Sequence, residues 1–183
     1  MKNVTVLVAG FLIALSLAVF AQKASAPVAR ATADIKGDAV TGSAELTEVT
    51  VGTGRKVLIT LKVSGLKPGL HGVHFHAVGK CEAPGFTSAG GHFDPGPFGN
   101  VDPDANHPFH MGDLPNLRVG KDGKGTLQAE TTRVTLTDGP LSLFDADGSA
   151  IIVHANPDQE ITGEPKSGVA GGPRIACGVI TKK

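Results

Sequence analysis

Apolar residues recur at every second position in several short stretches of the chain, the period of strands with one buried face. Lys56–Val63 shows it best, with Val57, Ile59, Leu61 and Val63 on one face and Leu58, Thr60 and Lys62 on the other. Ala44–Val51 alternates too, but its apolar phase changes between Leu46 and Val49, which predicts a bulge there. Leu117–Val119 and Thr126–Ala129 flank Gly120–Gly125, whose Asp122-Gly123 pair predicts a hairpin turn. Gly148–His154 and Ile175–Ile180 supply two more apolar strands. Long polar segments, about 78–116 and 155–173, separate some of these, and loops of that length in a compact domain usually carry function.

Composition agrees: 25 Gly and 12 Pro among 183 residues, spread between short alternating runs, favour an all-β domain. No internal repeat, heptad or phosphate-cradling glycine motif interrupts the pattern. The first residues depart from it. Met1-Lys2-Asn3 precedes an uncharged apolar run from Val4 to Phe20, followed by small residues, the arrangement of a secretory signal peptide. Residues 1–21 are read as that signal, with cleavage after Ala21 and Ala26 as the latest alternative. A retained membrane anchor is the competing reading, because the run nears the length of a spanning helix. Residues 22–32, Ala-rich with scattered charge and Pro27, are expected to be a flexible lead-in, and 33–183 a single domain. Net charge is zero, with 17 basic and 17 acidic residues, so no general basic field marks a nucleic-acid partner.

All seven histidines lie between residues 71 and 154, leaving none as an ordinary surface residue. Successive strand side chains alternate faces, so His74 and His76 point one way while Val73, Phe75 and Ala77 point the other. Two imidazoles on one face make half of a metal site. His71, three residues before His74, falls on the opposite face. Export and two cysteines together suggest one disulfide, Cys81 with Cys177.

Five segments carry a resemblance: HGVHFH at 71–76, SAGGHFDP at 88–95, HMGDLPN at 110–116, IIVHANPD at 151–158 and GPRIACGVI at 172–180. Their residues and order resemble the copper/zinc superoxide dismutases, over nearly all of the chain beyond about residue 32. That resemblance implies a Greek-key β-sandwich or flattened barrel, a fold for which this family is a standard example, with long metal-binding and channel loops. It implies copper held by His74, His76, His92 and His154, with His92 bridging to zinc and carrying a proton. It implies zinc held by His92, His110 and Asp113. The usual third zinc histidine lies about eight residues past the bridging one, where this chain has Asn100; His107 is the histidine free to replace it, and a copper-only or weakened zinc site is the alternative.

The same resemblance makes His71 and Asp158 supports for the ligands, with Asp158 joining a copper ligand to a zinc ligand. Arg174 is then the positive charge beside copper that draws in a small anion, and the disulfide holds the wall near it. The activity implied is dismutation of superoxide by an exported enzyme, periplasmic or secreted, without nucleic-acid partners, free of the membrane after cleavage, and with a homodimer among the assemblies allowed. Two other classes fit part of the pattern. One is a copper-binding or copper-delivery domain on the same fold, whose members usually lose several ligands or the arginine, whereas both sets are intact here. The other is a purely structural sandwich, which would not require His74, His76 and His154 together with Arg174.

Overall fold

The computed structural model describes residues 26–95, 110–161 and 167–183. The apolar leader through Ala21, Asn100 and His107 lie outside them.

Nine strands form: β1 Pro27–Lys36, β2 Thr41–Val51, β3 Gly54–Ser64, β4 Gly69–His76, β5 Asp113–Val119, β6 Lys124–Thr131, β7 Ala150–His154, β8 Arg174–Val179 and β9 Thr181–Lys182. All pair antiparallel. The spatial order β2-β3-β6-β5-β4-β7-β8-β1 is closed by β1 against β2, making an eight-stranded barrel, with β9 added beside β1. Strands β4, β5 and β6 follow one another in space and β7 returns beside β4, which is a Greek key. The all-β fold expected from the sequence is therefore present.

The alternation of β3 is realised as read: Val57, Ile59, Leu61 and Val63 all enter the main core. Two local expectations are corrected. The stretch 27–32, expected to be part of a flexible lead-in, belongs to β1. Its alanines look featureless by composition, yet Ala29, Ala31 and Ala33 recur with period two, pack against or enter the core ahead of Ile35, and let the strand approach its neighbours closely. The bulge expected in β2 between Leu46 and Val49 is absent from the β2–β3 register, which runs unbroken from Thr41 opposite Ser64 to Val51 opposite Gly54. The β1–β2 register does shift at that place, but with the extra residue in β1: Pro27 faces Val49 and Ala29 faces Glu48. Inward alternation continues through Ala44 and Leu46 to Glu48, which is fully buried. Its carboxylate accepts the amides of Leu136 and Thr137, each at 2.8 Å. Those bonds replace the water it loses and explain how a charge fits the inward face.

Strands β4 and β7 are buried on both faces, and this positions the site. Val73, Phe75, Ile151 and Val153 face the barrel core. On the outer face Ala150 and Ile152 pack with Phe86, Ala89 and Cys177 in a second, smaller cluster beneath the loop residues 77–95. Full burial of a side chain such as Ile152 contributes about 1.5–3 kcal/mol, so this loop is held against the barrel by its own apolar contacts. Cys81 in that loop is disulfide-bonded to Cys177 in β8, with Cα atoms 5.6 Å apart and a sequence separation of 96.

Candidate metal centre

The outer face of β4 carries His74 and His76, each fully buried. Strand β7 runs beside it with Ile152 opposite His74, and ends in His154. His92 comes from the loop residues 77–95 and forms an isolated backbone β-bridge with His76. One ring nitrogen from each of His74, His76, His92 and His154 lies within 4.8 Å of the others. The ring centroids of His74 and His92 are 3.9 Å apart, and those of His74 and His154 are 4.7 Å apart.

The other nitrogens of three of these rings are already engaged. His74 Nε2 donates to Asp158 Oδ2 at 2.7 Å, His76 Nδ1 to the Gly90 carbonyl at 2.9 Å, and His154 Nδ1 to the Gly172 carbonyl at 2.9 Å. Each bond fixes a tautomer and leaves a bare lone pair on the opposite nitrogen. Those nitrogens, His74 Nδ1, His76 Nε2 and His154 Nε2, are buried and have no hydrogen-bond partner. Buried polar atoms are normally satisfied, and three converging lone pairs on neutral imidazoles are a donor set that suits a transition metal. Burial, followed by the charges of His92, Arg174 and His154, holds His76 well below its ordinary value of 6.5. Burial and then His74 do the same to His154. Both rings are thereby kept in the neutral form that can bind a metal.

A second group shares His92. Its Nδ1 donates to Asp113 Oδ1 at 2.9 Å, while Asp113 Oδ2 accepts the His110 amide at 2.7 Å and His110 Nδ1 at 3.3 Å. Burial pushes the Asp113 carboxyl up, but hydrogen bonds from His110 and His92 outweigh it and hold the group far below the usual carboxylate range. His92, His110 and Asp113 are close enough to hold one ion, with an oxygen and two nitrogens suited to zinc.

His71 joins neither group. Its Nδ1 lies 2.7 Å from the His154 carbonyl and its Nε2 2.9 Å from the Lys67 carbonyl, so it ties β4 to the end of β7. Asp158 reaches His74 as expected, whereas its other oxygen accepts the Glu160 amide at 2.7 Å. Arg174 opens β8 opposite His154 and donates from Nη1 to the Phe86 carbonyl at 3.1 Å. Its positive charge acts on both His76 and His154.

The sequence reading did not single out Asn116, whose side chain clasps Asp158 twice: Nδ2 donates to the Asp158 carbonyl and Oδ1 accepts its amide, each at 2.8 Å. Asn116 closes the HMGDLPN segment, but nothing in its residue type points to a partner 42 residues away. Nor was Arg133 noticed, whose guanidinium donates to the Asp113 carbonyl.

A closed antiparallel barrel with two adjoining groups of buried metal-binding side chains, sharing one imidazole, defines a histidine-rich metalloprotein with a paired metal centre. Residues 40–180 match the family described as copper/zinc superoxide dismutase (SODC). The chain belongs to that family, whose cofactors are copper and zinc. It is 45% identical over 129 residues to "Superoxide dismutase [Cu-Zn]" of Caulobacter vibrioides, covering 68% of this chain and 71% of that one. It is 42% identical over 151 residues to the protein of the same name from Deinococcus radiodurans, covering 77% of each. Among solved structures it is similar to a SOD-like protein from Bacillus subtilis, with a TM-score of 0.62 and 31% identity over 80% of this chain and 95% of that one. The clock protein EA4 also matches, with a TM-score of 0.62 and 27% identity, covering 84% of this chain and 94% of that one.

Proposed function

We propose that the protein is an exported copper/zinc superoxide dismutase, with copper held by His74, His76, His92 and His154 and zinc by His92, His107, His110 and Asp113. The observation that carries this reading is the trio of buried lone-pair nitrogens on His74, His76 and His154, which nothing else satisfies. Copper bound there would supply one-electron chemistry, accepting an electron from one superoxide and returning one to a second, while zinc would be structural, fixing the loop and His92.

The chain's own residues supply the rest. Arg174 attracts the anion and, being unable to lose its charge, does so across the physiological pH range. In the metal-free protein His92 Nδ1 faces Asp113, so Nε2 is the nitrogen left for the copper group. Nε2 would be the atom that takes up a proton when it leaves the metal and gives that proton to the departing peroxide. Burial keeps protons off the His76 and His154 ligands. Two superoxide ions and two protons thus give one oxygen and one hydrogen peroxide.

Equilibrating the metal-stripped mature protein with both ions, removing the excess and counting metals per chain tests the centre. One copper and one zinc per chain are expected; retention of neither would leave a structural sandwich. His107→Ala is expected to weaken zinc binding, and unchanged zinc affinity would remove His107 from the ligand set. Arg174→Glu is expected to slow turnover and invert its salt dependence, and an unaltered rate would end the steering role.

Export is supported by the leader and the disulfide, since such bonds persist in oxidising compartments. The domain boundaries fit this: cleavage after Ala21 or Ala26 would fall before β1 begins at Pro27. The mature N-terminus in periplasm or medium is then Gln22 or Pro27, and Met1 there would refute cleavage. A homodimer is one of the assemblies this reading allows, and sedimentation distinguishes it from a monomer.

A further inference from the structure

Two residues other than glycine, among those described, have φ in the left-handed region: Phe86 at 52° and Glu160 at 54°. For bulky side chains this conformation is sterically costly and persists only where the surroundings impose it. Both residues aim a backbone polar group at a charged side chain beside the histidine cluster. Glu160 donates its amide to Asp158 Oδ1, and Phe86 offers its carbonyl to Arg174.

The surroundings of Phe86 supply the constraint. Its side chain is 8% exposed and packs in the small outer cluster with Ala89, Ala150, Ile152 and the disulfide half Cys177, against Cys81. Its backbone opens the short helical turn Thr87–Ala89, whose Ala89 amide also donates to the Phe86 carbonyl, at 3.2 Å. A turn alone would favour glycine, which pays no steric cost for positive φ. Gly85 and Gly90 already serve that need nearby, with φ of 78° and 73°. An aromatic residue in the same conformation does something glycine cannot: it anchors the turn.

We propose that Phe86 is a positioning residue for Arg174. The ring, wedged against the disulfide and Ile152, holds the chain in the left-handed turn that presents its carbonyl to the guanidinium, and this sets where the positive charge stands relative to the histidines. The disulfide acts on the charge through the ring, in addition to tethering the loop. The placement of Arg174 is independent of which reaction occurs; its effect on anion binding at copper rests on the dismutase reading.

The test is chemical modification of the folded, metal-free protein with phenylglyoxal, following Arg174 and the exposed Arg118 separately by peptide mass spectrometry. Phe86→Ala and Phe86→Gly are expected to raise the Arg174 rate by about tenfold, as for loss of one hydrogen bond to a charged group, with the Arg118 rate unchanged. Phe86→Leu keeps an apolar anchor and is expected to give a smaller rise, which decides the matter if the other two fail to fold. An Arg174 rate equal to wild type in every folded variant, or in Phe86→Gly alone, would overturn the proposal. In copper-loaded protein the same variants are expected to bind azide about tenfold more weakly at unchanged copper content. Raised modification with unchanged azide affinity would refute the coupling to the metal site. A chain that binds no copper would refute the dismutase reading, while the modification rates would still decide the role of Phe86.

Discussion

The imidazole of His74 can offer Nδ1 to a metal because its proton sits on Nε2, where it is donated in a hydrogen bond to Asp158, and Asp158 stays in place because Asn116 holds its backbone at both ends. Orientation of this kind accounts for a large share of metal affinity. Asp158→Ala is expected to weaken copper binding by about 10–100-fold in competition with a chelator; affinity within twofold of wild type would mean that β4 alone fixes the ring. The histidines were legible in the sequence because strand alternation and their clustering leave few other uses for them. Asn116, Phe86 and Arg133 were not, because Asn116 and Arg133 reach a backbone atom of a distant residue and Phe86 offers its own carbonyl to one, and side-chain identity records nothing about such contacts. Gly171 is similar: with φ at 93°, an added Cβ would stand 2.7 Å from the Cβ of His154, a closeness only the fold reveals.

At the scale of elements, period two predicted β3 and the hairpin between β5 and β6, and failed where composition or charge overrode it. Glu48 was the hidden case. An apolar-only count moves the inward phase of β2 to Val49, whereas the strand keeps its phase and buries the carboxylate. Burial opposes its charge, but the amides of Leu136 and Thr137, the Thr137 hydroxyl and Arg55 outweigh that and hold the group below its ordinary 4.5. Glu48→Ala would leave two amides without an acceptor, at a cost of about 2–5 kcal/mol, to be read from urea unfolding; a loss under 1 kcal/mol would show that water replaces the carboxylate freely.

These groups also give the metal-free protein a defined response to acid. His76 and His154 titrate far below 6.5 when folded, so once the pH drops beneath that value the unfolded chain binds protons that the folded one refuses, and stability falls. Glu48 and Asp113, both lowered, add stability above their ordinary values of 4.5 and 3.8 and lose it as pH falls through their folded values. Urea midpoints are therefore expected to decline from about pH 7 downward, first through the histidines and then through the carboxyls. A flat profile down to about pH 5 would contradict the neutral buried imidazoles.

At the scale of the whole molecule, the barrel is a rigid wall and the chemistry lies outside it, between β4, β7 and two long loops. The loops were foreseen as functional from their length, and the disulfide that joins one of them to β8 from export and cysteine count. It closes 96 residues, and its removal by Cys81→Ser with Cys177→Ser is expected to cost about 2–5 kcal/mol and to loosen Arg174 together with Phe86. Unchanged stability in urea would contradict a structural role for the bond. The Greek-key order itself was implied by resemblance and could not be computed from periodicity, since alternation reports which face a residue takes and not which strand lies beside it.

The most direct measurement is the decay of superoxide after a rapid pulse, with the purified protein loaded with copper and zinc. A second-order rate constant of about 10⁸–10⁹ M⁻¹s⁻¹ is expected, the ceiling for which superoxide dismutase is a known example, falling as ionic strength rises, and slowed with an inverted salt dependence in Arg174→Glu. Superoxide decaying no faster than in buffer, with both metals bound, would contradict it and leave the chain a metal-binding relative of the enzymes it resembles.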